Sequence, residues 1–119
     1  MDNHKKKYKV IDINKLQEYI GEDKQVMKEF LELFITQSSN DIAIIYKSIK
    51  NEDYDEISKQ AHKLKSTYAC MGIIKAYELL SEIEYLANDD KEYENILTCF
   101  EEFLHIQDLA ITESKEITG

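Results

Sequence analysis

The sequence contains no proline and only three glycines, Gly21, Gly72 and Gly119. Without these breakers, strands joined by tight turns are disfavoured and long helices joined by short loops are favoured. Cysteine is scarce. Cys70 and Cys99 are too few for a disulfide framework or a cysteine-based metal site, and both fall in apolar-periodic segments, so buried free thiols are expected. No apolar run approaches the roughly 20 residues that a membrane span needs. The start, Met1-Asp2-Asn3-His4-Lys5-Lys6-Lys7, lacks the apolar core of a signal peptide, and a cytoplasmic, free-standing chain is expected. Positive charge is outnumbered: the formal net charge of −9 excludes general nucleic-acid binding, because phosphates would be repelled, and suits steering of a partner of complementary charge. What remains is 43% hydrophobic and 33% charged over 119 residues, enough for one core in one domain.

Periodicity supplies the architecture. Residues 1–12 read as a flexible basic arm carrying Lys5, Lys6, Lys7 and Lys9, ahead of a single domain over 13–115. Ile13, Leu16 and Ile20 predict a short helix stopped by Gly21. Asp23 caps a second helix whose stripe, Met27, Phe30, Leu31, Phe34, Ile42, Ile45 and Ile49, keeps phase to about residue 50, with a bend or break expected at Ser38-Ser39-Asn40. Asp53, followed by Glu56, starts a third helix with the stripe Tyr54, Ile57, Ala61, Leu64, Tyr68 and Met71, ended by a left-handed Gly72. A fourth runs from Ile73 to Ala87, burying Ala76, Tyr77, Leu80, Ile83 and Leu86 or Ala87. A fifth starts near Lys91 and carries Tyr93, Ile96, Leu97, Phe100, Phe103, Leu104 and Ile111. The fold class is therefore all-α: an antiparallel up-down-up-down four-helix bundle with a short additional N-terminal helix, expected as a monomer.

One residue stands apart from this pattern. At about 100° per residue, His62 falls about 135° from the centre of the third helix's apolar stripe. Its surface neighbours are Ser58, Lys59, Lys65, Ser66 and Ala69. Lys59, Lys63 and Lys65 make residues 59–65 a cationic patch without an acid inside an acidic chain. An imidazole keeps a neutral nitrogen lone pair near neutral pH and serves as a nucleophile. Lys65, one turn on, is the best placed to pair with the oxygens of a phosphoryl group carried by that ring. An exposed histidine on a lysine-bearing helix is by itself an ordinary surface feature; the wider pattern gives it meaning.

Ala61-His62-Lys63-Leu64-Lys65, with Gly72 ten residues after the histidine, resembles the signature of histidine-containing phosphotransfer (HPt) domains. Gly21-Glu22-Asp23, Phe30-Leu31 with Phe34, Asp53, and Ile83-Glu84 also fall where that pattern has similar residues. The resemblance implies a phosphorelay intermediate: His62 is the phosphoacceptor, taking a phosphoryl group from a receiver-domain aspartyl phosphate and passing it to another receiver, and Lys65 stabilises the charge. It implies response-regulator receiver domains as partners, those of a hybrid histidine kinase and of a response regulator. Magnesium belongs to the receiver, with no cofactor in this chain. Ser66 stands where the family often has glycine; it is small enough for access, and its hydroxyl is a candidate bond to phosphate. Glu84 stands near a position where some members have a glutamine that orients the imidazole; a carboxylate there can orient a ring N–H but opposes a nearby phosphate. Ala69 and Gly72 complete the candidate supporting residues.

A phosphocarrier of this kind has no kinase or ATPase activity of its own, and the chain has no Gly-rich phosphate loop. Two other classes remain in view. Glu102 and His105 have the Glu-x-x-His spacing of di-iron bundles, but neither His4 nor His62 has a glutamate three residues before it. A helical adaptor that docks receivers or another protein without being phosphorylated is the alternative reading. Counting back from the interhelical turns places His62 level with about residue 42 and about Glu82, and makes the first helix and residues 31–42 docking candidates, with Ser38 and Ser39 leaving the histidine accessible.

Overall fold

A computed structural model of the chain describes residues 8–119. Within them the chain forms α1 (Ile13–Ile20), α2 (Lys24–Lys50), α3 (Tyr54–Cys70), α4 (Ile74–Tyr85), a π-helical turn (Leu86–Asp90) and α5 (Tyr93–Thr118), with no strand. The helices α2, α3, α4 and α5 form the bundle, with α3 packed between α2 and α4 and placed diagonally to α5. The short α1 rests on α2 and α3. No described helix is long and apolar enough to cross a membrane.

The helix starts follow the local chemistry. The Asp23 carboxylate accepts from the Gln25 and Val26 amides, and that of Asp53 from the Glu56 amide at 3.3 Å. Asp12 caps α1 by accepting from the Lys15 amide. At the far end of α3, Gly72 takes φ +68°, the left-handed conformation that glycine adopts without penalty. A Cβ there would lie 2.5 Å from that of Asp12 and 3.0 Å from that of Lys15, so the missing side chain also lets the entry to α1 seat against this corner. The Asp12 amide donates to the Met71 carbonyl at the same place. Gly72→Ala is expected to lower unfolding free energy by about 1–2 kcal/mol from backbone strain alone, more with the clash, as read by urea denaturation.

The core is aromatic at its centre. Tyr68 meets Phe34 and Phe103 edge-on, with ring centroids 5.7 and 5.3 Å apart, and Phe100 packs beside Phe103. The buried Tyr68 hydroxyl donates to Gln107 Oε1, and Gln107 Nε2 donates to Ser38 Oγ at 2.9 Å. Burial pushes the Tyr68 phenol well above its ordinary value, and the Asp41 charge adds to the effect, so the hydroxyl keeps its proton.

Several expectations are corrected. α2 runs unbroken through Ser38-Ser39-Asn40, because Ser38 is buried and bonded to Gln107 instead of competing for its own backbone. Ser38 therefore belongs to the core and does not clear access to His62. Tyr77 is exposed, and its ring lies beneath Lys65. Leu86 and Ala87 are both buried, but in the π-helical turn after α4 has ended, and Lys91 at φ +50° reverses the chain so that α5 begins at Tyr93. Cys70 and Cys99 are free thiols but only partly buried. Of the expected flexible arm, residues 1–7 lie outside the described residues. Residues 9–11 are docked, with Ile11 in the core and their amides bonded to Glu113.

Candidate functional site

α3 and α4 are antiparallel neighbours, and one turn of each forms the site. The stripe of α3 turns Ala61 and Leu64 inward, and this fixes His62 outward with its side chain 68% exposed. On α4, Ile83 is buried, so the next residue, Glu84, emerges at the seam between the helices. The Glu84 carboxylate bridges two residues of α3. His62 Nδ1 lies 2.9 Å from Oε2, and Lys65 Nζ donates to Oε1 at 2.7 Å. The expected partner level, Glu82, is two residues short: Glu82 is exposed, and Glu84 is the residue of α4 that meets α3.

This geometry fixes a tautomer. A carboxylate accepts, so Nδ1 carries the proton and Nε2 presents its lone pair to solvent. Burial alone would raise the Glu84 carboxyl. The hydrogen bond and charge of Lys65, then those of His62, outweigh it and hold the group below its ordinary 4.5. The hydrogen bond to Glu84 lifts Lys65 above its ordinary 10.5, against its partial burial and with the Glu84 charge adding to it. The Lys65 ammonium also sits 5.9 Å from the centre of the Tyr77 ring, within cation–π range.

A depressed carboxyl gives a definite pH dependence. Glu84 contributes stability that is present above its unfolded value and is lost as pH falls through its lower folded value. The stability gap between the wild type and Glu84→Gln, measured by urea denaturation, is therefore expected to shrink as the pH falls below 4.5.

The remaining sequence candidates divide. Lys59 and Lys63 are exposed beside His62 on α3. Ser66 lies on the same exposed face, but its hydroxyl donates to the Lys63 carbonyl at 3.4 Å and so is turned onto its own helix. Ala69 is half-buried. Gly72 belongs to the corner against α1 and is not brought to the imidazole. His105 is exposed on α5. Among the described residues no group of three or more His, Cys, Asp or Glu side chains is placed to hold a metal ion. The sequence reading left Glu84 without a settled role and missed Gln107 and Glu113. Both sit on the buried stripe of α5, at positions 4 and 10 residues after Phe103, and polar residues in an apolar stripe were the available signal.

The all-helical bundle thus displays an imidazole with one ring nitrogen held and the other free. The family model for the Hpt domain matches residues 29–113, and the chain belongs to that family. Hpt domains carry out histidine phosphotransfer in phosphorelay signalling and interact with receiver domains. Comparison with curated proteins and with solved structures gave no significant match.

Proposed function

We propose that this chain is a phosphorelay intermediate in which His62 Nε2 accepts a phosphoryl group from the aspartyl phosphate of one receiver domain and returns it to another. The observation that carries this reading is the 2.9 Å contact of Nδ1 with Glu84, which leaves Nε2 as the free nucleophile on an exposed face. The Nε2 lone pair forms the P–N bond as the P–O bond to the receiver's aspartate breaks, and the aspartate leaves as carboxylate. The ring gains positive charge as the bond forms, and Glu84 faces that charge through the Nδ1 proton. Such a transfer depends on positioning and charge neutralisation more than on covalent machinery, which suits so small a site.

Lys65 resolves the conflict expected of a carboxylate beside a phosphate. Its ammonium cancels the Glu84 charge in the resting state and lies one turn from the phosphorylated ring, where it compensates the added negative charge together with Lys59 and Lys63. Magnesium is supplied by the receiver. Partner docking uses the surface around His62, including the groove lined by Phe30, Leu33 and Gln37 of α2, in and just before the expected segment 31–42, and by Leu64 and Thr67 of α3. Leu33 is 55% exposed there, an apolar anchor for a partner surface. The chain works in the cytoplasm as a monomer, between the receiver of a hybrid kinase and that of a response regulator.

The test is incubation with a receiver carrying labelled aspartyl phosphate. The expected result is label on this chain that is lost in acid and kept in base. Binding of the receiver with no transfer of label refutes the relay reading in favour of a docking adaptor.

A further inference from the structure

A cavity of about 120 Å³ is walled by Phe30, Leu33 and Phe34 of α2 and by Leu64 and Tyr68 of α3. His62 lies about 140° round α3 from Thr67, which also lines the cavity, and turns toward α4, so the transfer chemistry does not use this space. An apolar cavity of about 150 Å³ takes a benzene ring. This one opens past Leu33 and Gln37, both exposed, so a ring-sized body fits with one end toward solvent. Its floor is preformed. Phe34 and Tyr68 are buried and meet edge-on, and the Tyr68 hydroxyl is held by Gln107. A wall that needs no ordering costs an incoming ligand little.

The cavity carries one charge. Asp41 is half-buried at its wall, close enough for its charge to act on the Tyr68 phenol. Among the described residues no hydrogen bond or ion pair uses the Asp41 carboxylate. Its neighbours one turn away on α2 are Gln37, Ser38, Ile44 and Ile45, none of them basic. A carboxylate drawn partly out of water gains from a cation, and aromatic walls add cation–π attraction. The same charge, within a net charge of −9, repels an anion.

We infer that this cavity binds a small organic cation free in solution: a ring-sized apolar body seated against Phe30, Leu33 and Leu64, with one ammonium group on the Asp41 carboxylate. The same residues line the groove proposed for receiver docking, so an occupied cavity blocks a receiver. The blocking half rests on the phosphorelay reading; the binding half does not.

Titration of the ¹⁵N-labelled full chain with three probes of matched size, benzylammonium, benzyl alcohol and benzoate, tests the site. Benzylammonium is expected to give saturable amide shifts centred on residues 30–41 and 64–68, with a dissociation constant about three- to tenfold below that of benzyl alcohol, as for a charged hydrogen bond discounted for its partial exposure. Benzoate is expected to bind most weakly. Asp41→Asn keeps the shape of the side chain and is expected to abolish the preference for the ammonium while leaving benzyl alcohol binding unchanged. Equal affinities for the three probes, shifts centred elsewhere, no saturable binding, or a preference that survives in Asp41→Asn overturns the site. Should Asp41→Asn fail to fold, the comparison of probes on the wild type decides. In the receiver assay, benzylammonium at three times its dissociation constant is expected to raise the half-saturating receiver concentration about fourfold, as for simple competition. Unchanged half-saturation overturns the blocking role. A wild-type chain that takes up no phosphate refutes the relay reading and the blocking role with it, while the titration still decides the site.

Discussion

His62→Gln is expected to abolish phosphoryl uptake from a phosphorylated receiver and to leave the far-ultraviolet circular dichroism of the bundle intact. The loss is complete because an amide nitrogen has no available lone pair and nothing else at the site replaces the nucleophile. Lys65 is protonated and committed to Glu84, and the Ser66 hydroxyl is turned onto the Lys63 carbonyl. The fold is spared because the His62 side chain is 68% exposed and bonds a carboxylate that retains Lys65 as partner. An exposed helix position of this kind tolerates substitution within about 0.5 kcal/mol. Residual uptake at the wild-type rate would falsify the assignment of the acceptor.

The second large effect is expected at Glu84. Glu84→Ala removes the acceptor that holds Nδ1–H and releases Lys65 at once. A hydrogen bond to a charged group contributes about 1.5–3 kcal/mol, so loss of orientation lowers the transfer rate about 10- to 100-fold. Glu84→Gln separates the two duties. The amide oxygen still accepts from the ring and keeps the tautomer, but the ion pair with Lys65 is gone, and the rate falls less than in the alanine variant. Lys65→Ala leaves an uncancelled carboxylate beside the incoming phosphate and is expected to slow transfer or shorten the lifetime of the phosphohistidine. The double variant Lys65→Ala with Glu84→Gln recovers part of that loss, because the repulsive charge is removed with its partner. Equal rates for all four proteins, measured as single-turnover transfer from the same receiver, contradict any role for the pair.

Much of this site was written in the α3 segment. The 3.6-residue period of Ile57, Ala61, Leu64 and Tyr68 fixes which face is buried, and His62 has only the opposite face to occupy. The four-helix bundle followed from the same period in α2, α4 and α5, and from the absence of breakers. What periodicity does not encode is the pairing between helices. Glu84 meets His62 through the packing of α4 on α3, and turn counting missed this by two. The continuity of α2 through Ser38 depends on Gln107, 69 residues away, and the docking of residues 9–11 depends on Glu113, over 100 residues away. Each is a polar side chain inside an apolar stripe. Sequence marks such a residue as an exception but does not name the partner that satisfies it. Tyr77 failed in the opposite sense: an aromatic at a plausible stripe position stays outside, where its ring carries the Lys65 ammonium.

The account depends on which nitrogen takes the phosphorus. Transfer from a phosphorylated receiver to ¹⁵N-histidine-labelled chain, followed by ³¹P–¹⁵N coupling in neutral solution, reads that atom directly. The expected spectrum shows phosphorus bonded to Nε2 of His62, with Nδ1 still protonated against Glu84. Phosphorus on Nδ1, on His105, or on no histidine contradicts it.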